Sequence, residues 1–223
     1  MKRLTMVCLS ALLLLGLSTY VYMQDVHGSQ EEHVLLRTPE GGGQQLVGKT
    51  IVLDPGHGGH DSGSVGQQGT LEKDVTLQTV QAIKRELQRR TGAQVVVTRE
   101  QDETVSLQQR IDVAEEKSAD LYVSVHYDAY DTGEAEGMTT YYYDDNNWQL
   151  ANTMHEYLKQ SLNMRDRGVH VGDYMVLRDN SRPSILLELG YISNHDDEQR
   201  MKSQAFQEQA ANAIVDGIID VLR

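Results

Sequence analysis

The run Thr50-Ile51-Val52-Leu53-Asp54-Pro55-Gly56-His57-Gly58-Gly59 decides how the chain is read. Ile51-Val52-Leu53 forms a strand, and Asp54-Pro55-Gly56 ends it, because proline offers no amide hydrogen for a sheet ladder. The same alternation extends outward from this point. Short β-branched or aliphatic runs predict strands at Val95–Thr98, Leu121–Val125, Met138–Tyr143 and Ile185–Leu187. Longer amphipathic stretches predict helices over Leu71–Arg90, stopped by Gly92, and over Leu107–Lys117, Asn147–Leu162 and Gln204–Leu222. Strands alternating with helices predict an α/β fold with a central, mostly parallel, twisted sheet covered by helices on both faces.

The chain has 223 residues, 39% of them hydrophobic and 24% charged, which is enough for one packed domain plus an appendage. Lys and Arg number 20 against 33 Asp and Glu, a net charge of −13 that repels phosphate backbones and argues against nucleic acid as a partner. Within 1–49, Lys2, Arg3, Arg37 and Lys49 balance Asp25, Glu31, Glu32 and Glu40, so the acidity belongs to the folded part. The lone Cys8 rules out a disulfide framework or a cysteine zinc site in the remainder.

Three segments follow from these patterns. Residues 1–23 place Lys2 and Arg3 ahead of the uncharged run Leu4–Met23, which reads as a signal peptide or a membrane anchor. Either puts the domain outside the cytoplasm, secreted or tethered to the membrane. Residues 24–49 are polar and carry Gly41-Gly42-Gly43, a linker; residues 50–223 form the catalytic domain.

In a parallel sheet, sites form where strands end at their carboxyl edge. His57 follows the first strand, His126 the strand at Leu121, and Glu188 the strand at Ser184, while Glu72 opens the helix that returns to that edge. Two histidines and a carboxylate are one of the three-residue ligand sets of catalytic Zn²⁺. His57, Glu72 and His126 are therefore the expected metal ligands and Glu188 the expected base. The bland alternative makes both histidines hydrogen-bonded strand-end residues and Glu188 a surface carboxylate.

The segments Asp54–Gly59 with Asp61 and Gly63, Glu72-Lys73-Asp74, Thr98-Arg99, Ser124-Val125-His126 and Glu188-Leu189-Gly190-Tyr191-Ile192-Ser193-Asn194 resemble, in this order, the zinc-dependent N-acetylmuramoyl-L-alanine amidases of bacterial cell walls. Leu177-Arg178 and Pro183 also look like that pattern. The resemblance covers the domain from residue 50 to 222. It implies the same three ligands, one Zn²⁺ per chain, catalytic Glu188, and peptidoglycan as substrate, cut between N-acetylmuramic acid and L-alanine. Asp128 departs from the asparagine that many members carry there, and is expected either to orient the site or to fix its loop. Some members insert a helix that blocks the metal, for which the connection Ala129–Gly137 has no room.

Arg167 and Arg178 are expected contacts for stem-peptide carboxylates, with surface salt bridges as the simpler alternative, and His170 is expected to line the substrate groove. His60 reads as a loop residue, and His27, His33, His155 and His195 as solvent-exposed. Two rival functions stay open: another zinc hydrolase of the wall, a carboxypeptidase or deacetylase, and a non-catalytic peptidoglycan-binding module.

Overall fold

The computed structural model describes residues 42–223. The segment Leu4–Met23, together with Cys8, His27 and His33, lies outside the described residues, among which no helix is long and apolar enough to cross a membrane. Six strands, β1 (Thr50–Pro55), β2 (Gln94–Val97), β3 (Leu121–Asp128), β4 (Met138–Tyr142), β5 (Asp166–Val171) and β6 (Ser184–Tyr191), form one sheet in the order β2-β1-β3-β6-β4-β5. All neighbours are parallel except β4 and β6, which run antiparallel. The helices are α1 (Glu72–Arg90), α2 (Leu107–Glu116), α3 (Trp148–Ser161), α4 (Met175–Arg178), α5 (His195–Met201) and α6 (Gln204–Leu222).

The central strands β1, β3 and β6 are apolar on both sides because both faces are covered there, as parallel sheets require. Ile51, Leu53, Val123, Ile185 and Leu187 face the larger core beneath α1, α3 and α6. Val52, Tyr122 and Leu186 face the smaller core beneath α2 and α4. Helix α2 starts cleanly because Ser106 and Gln109 form a reciprocal cap: Gln109 N donates to Ser106 Oγ at 3.2 Å, and Ser106 N donates to Gln109 Oε1 at 2.9 Å.

Residues 42–49 of the polar linker lie against the domain. Leu46 is 1% exposed within the larger core, and its amide donates to Thr91 O at 2.9 Å. Beside it, the C-terminal Arg223 donates to Gln45 Oε1. The edge strand β5 and the short helices α4 and α5 were not expected from the sequence; Asn194 caps α5 through its side-chain oxygen at 3.0 Å from Asp196 N and 3.2 Å from Asp197 N.

His155 corrects the expectation of a solvent-exposed histidine. It is 3% exposed, with Nδ1 3.0 Å from Thr140 Oγ1 and Nε2 2.9 Å from Asp166 Oδ1, so it ties α3 to the β4–β5 pair. His195, by contrast, is exposed at the first turn of α5.

Candidate active site

The parallel strands β1, β3 and β6 release their chains at one edge, and the candidate residues gather there. His57, Glu72 and His126 offer ligand atoms that all lie within 4.8 Å of one another. Glu72, 3% exposed, points Oε1 at His57 Nε2, 3.1 Å away, and at His126 Nδ1, 3.0 Å away. Backbone amides hold that carboxylate in place: Tyr127 N donates to Oε1 at 3.1 Å and Ser64 N to Oε2 at 2.9 Å. Burial alone would raise the pKa of Glu72, but the two imidazoles hold its carboxyl well below the usual range.

His57 is oriented from behind. Its Nδ1 lies 2.9 Å from Asp61 Oδ2, which fixes the tautomer that leaves Nε2 free to bind, the usual arrangement behind a metal-ligating histidine. Burial of the ring opposes the charged form, yet the carboxylates of Glu72 and Asp61 raise the pKa of His57. His57 adopts φ 60°, a left-handed conformation costing a side-chain residue about 1–2 kcal/mol, which the surrounding loop must sustain. Two glycines make the approach possible. A Cβ on Gly56 would stand 2.2 Å from the His126 ring, and one on Gly63 would stand 2.7 Å from Glu72 Oε2.

Glu188 is the register partner of His126 and lines the same cavity of about 400 Å³ as both histidines. It is 7% exposed, and its Oε2 is buried without a hydrogen-bond partner. Burial raises its pKa well above the ordinary value, and the carboxylates of Glu72 and Asp128 push in the same direction. Two imidazole nitrogens and one carboxylate oxygen gathered within 4.8 Å, beside the orphaned buried oxygen of Glu188, suit a divalent cation. The residues present therefore fit Zn²⁺.

The platform under the loop is a buried ion pair that sequence reasoning missed. Asp54, 1% exposed, accepts from Arg110 Nη1 at 2.6 Å, from Tyr122 OH at 2.6 Å, from Ser124 Oγ at 2.9 Å and from Thr98 Oγ1. Arg110 also donates to Pro55 O at 2.8 Å and to His57 O at 2.7 Å, so α2 holds the metal loop by its carbonyls. A charged residue on the apolar side of α2 was the available signal.

The remaining expected residues are placed as follows. Asp128 accepts from Ala129 N at 2.8 Å, and burial together with the charge of Asp128 pushes the pKa of the nearby Tyr191 up to about 12. Arg167 and His170 line a second pocket with Tyr141 and Tyr191. Arg178 is turned to Asp173 at 2.6 Å and Asp179 at 2.9 Å, and lines neither pocket. His60 sits in the loop with Nδ1 2.9 Å from Thr104 Oγ1. The connection from residue 129 to 137 contains no helix.

A family profile described as N-acetylmuramoyl-L-alanine amidase matches residues 51–220. The probable cell wall amidase LytH of Staphylococcus aureus is 43% identical over 175 residues, 78% of this chain and 58% of LytH, so the chain spans less than two thirds of that relative. The catalytic domain of CwlV, an N-acetylmuramoyl-L-alanine amidase from Bacillus (Paenibacillus) polymyxa, superposes with a TM-score of 0.76 at 35% identity, covering 78% of this chain and 98% of that one. The N-acetylmuramoyl-L-alanine amidase AmiC2 of Nostoc punctiforme gives 0.75 at 38% identity, covering 81% and 99%. With the match spanning every strand of the sheet, this chain belongs to the N-acetylmuramoyl-L-alanine amidase family.

Proposed function

We propose that the domain is a zinc amidase that hydrolyses the bond between the lactyl group of N-acetylmuramic acid and L-alanine in peptidoglycan. The observation that carries this reading is the convergence of His57, Glu72 and His126 beside a buried Glu188. Bound there, Zn²⁺ would supply Lewis-acid polarisation of the amide carbonyl and acidification of water.

The chain's own residues do the rest. Asp61 keeps His57 in its ligating tautomer, the amides of Tyr127 and Ser64 hold Glu72 still, and the two imidazoles keep it ionised. Glu188 takes the proton of the attacking water as its oxygen bonds to the carbonyl carbon. It then delivers that proton to the alanine nitrogen as the carbon–nitrogen bond breaks. Burial of Glu188 raises its affinity for a proton, which strengthens it as the base that takes one from the water.

Digestion of purified peptidoglycan followed by mass spectrometry tests the reading. New L-alanine amino termini and peptide-free glycan should appear together, vanish with chelation and return with zinc, and elemental analysis should find one Zn²⁺ per chain. Release of a terminal amino acid or of acetate would establish the carboxypeptidase or deacetylase instead; binding without cleavage would establish the binding module. The enzyme is read as acting outside the cytoplasm, anchored by residues 1–23 or released. Full protection from protease added to intact protoplasts would refute that location.

A further inference from the structure

Beside the metal cavity lies a second, polar pocket of about 340 Å³ lined by two guanidinium groups, Arg165 and Arg167, the latter donating only to Glu136 O at 3.4 Å among the described residues. The two pockets adjoin across β6 and β4. Thr139 in the second pocket is the register partner of Glu188, and Tyr141 packs edge-on, at 5.2 Å between ring centroids, against Tyr174 of the first. Among the described residues neither Arg165 nor Arg167 has a carboxylate within 4.0 Å, although the chain carries 33 acidic residues against 20 basic ones. The acidic residue of the pocket, Asp166, is already committed: Oδ1 to His155 at 2.9 Å and to Gly168 N at 2.8 Å, Oδ2 to Lys159 at 3.1 Å. Arg167 lies 4.9 Å above the Tyr191 ring, a contact that positions a guanidinium without neutralising it.

We infer that Arg165 and Arg167 form a carboxylate subsite for the peptide half of the substrate. The inference rests on the amidase reading above and says which half of the substrate lies over β4 and β5. In the scissile unit the lactyl carboxyl is consumed in the amide, so the sugar side offers only neutral hydroxyl and acetamido groups. The peptide side retains free carboxylates, the anions that guanidinium forks bind best. The neutral sugar then falls on the other flank, where the cavity is lined by Val105, Leu107, Met175 and Val176. From β6 to β5 is two strand spacings, about 10 Å, which an extended peptide covers in roughly three residues. The recognised carboxylate therefore belongs to the second or third residue after the lactyl group.

The test compares a muramoyl tripeptide bearing free carboxylates with the same compound as carboxamides, using the full zinc-loaded chain. Wild type should prefer the carboxylate form by about tenfold or more, expressed in KM. Arg165→Met with Arg167→Met should raise KM for the carboxylate form to that of the carboxamide and leave kcat and the carboxamide KM unchanged. Arg167→Lys should keep part of the preference, because the charge persists without the fork. Arg85→Met, which removes an exposed charge on α1, should behave as wild type. A double variant that keeps the wild-type preference, or loses equally on both compounds, would overturn the subsite. If wild type cleaves neither compound, the amidase reading falls and takes the subsite with it.

Discussion

Replacing Arg110 by methionine removes the positive half of the buried pair under the metal loop while keeping most of the side-chain volume. Asp54 would keep three hydroxyl donors, from Thr98, Tyr122 and Ser124, but lose its countercharge, and Pro55 O and His57 O would lose a donor each. Breaking a buried pair from one side costs about 3–5 kcal/mol. For a domain of this size each kcal/mol lowers the melting temperature by roughly 2–4 °C, so the loss should be about 6–20 °C. The effect depends on pH in a defined direction. Burial opposes ionisation of Asp54, but Arg110 and the hydroxyls prevail and hold its pKa below the ordinary value. That contribution is complete above about pH 4 and is lost as pH falls through the folded value, so wild type and variant should converge in stability in strong acid. Urea denaturation across a pH series measures both effects. A loss below about 1 kcal/mol at pH 7, with metal content unchanged, would refute the view that this pair anchors the His57 loop.

Two further substitutions separate chemistry from scaffolding. Glu188→Gln should retain zinc and fold while kcat falls by about 10² to 10⁴, because an amide of the same shape cannot carry the proton; retention of more than about a tenth of kcat would remove Glu188 as acid and base. Asp128→Asn should keep kcat/KM within about tenfold, since an amide oxygen can accept from Ala129 N equally well. A loss above about a hundredfold would make the Asp128 charge part of the reaction.

The site was legible where one residue ends one strand. Ile51–Leu53, Leu121–Val125 and Ile185–Leu187 are unmistakable as strands, and parallel pairing alone brings His57, His126 and Glu188 to a common edge. Strand β5 was hidden because Asp166-Arg167-Gly168-Val169-His170-Val171 carries little apolar material, as suits an edge strand facing solvent. Helix α5 was hidden by its length and by the acidic run Asp196-Asp197-Glu198, although Asn194 ahead of it is a capping signal. His155 and Arg110 defeated a local reading because their partners, Asp166 and Asp54, come from other elements. Polarity in a helix says that a partner is needed and not whether water supplies it.

The packing of Leu46 and the Gln45–Arg223 contact fix where the domain can be held. The first described residues, packed through Leu46, and Arg223 both lie beside the start of β1, and His57 lies beyond its far end, about 20 Å of strand away. A cargo fused behind Arg223, or a linkage made at Gln45, would pull on the base of the domain, away from the mouth of the cleft. Held there, the domain would act like a tool gripped by its handle, its working end free to sweep a neighbouring polymer while the grip stayed fixed.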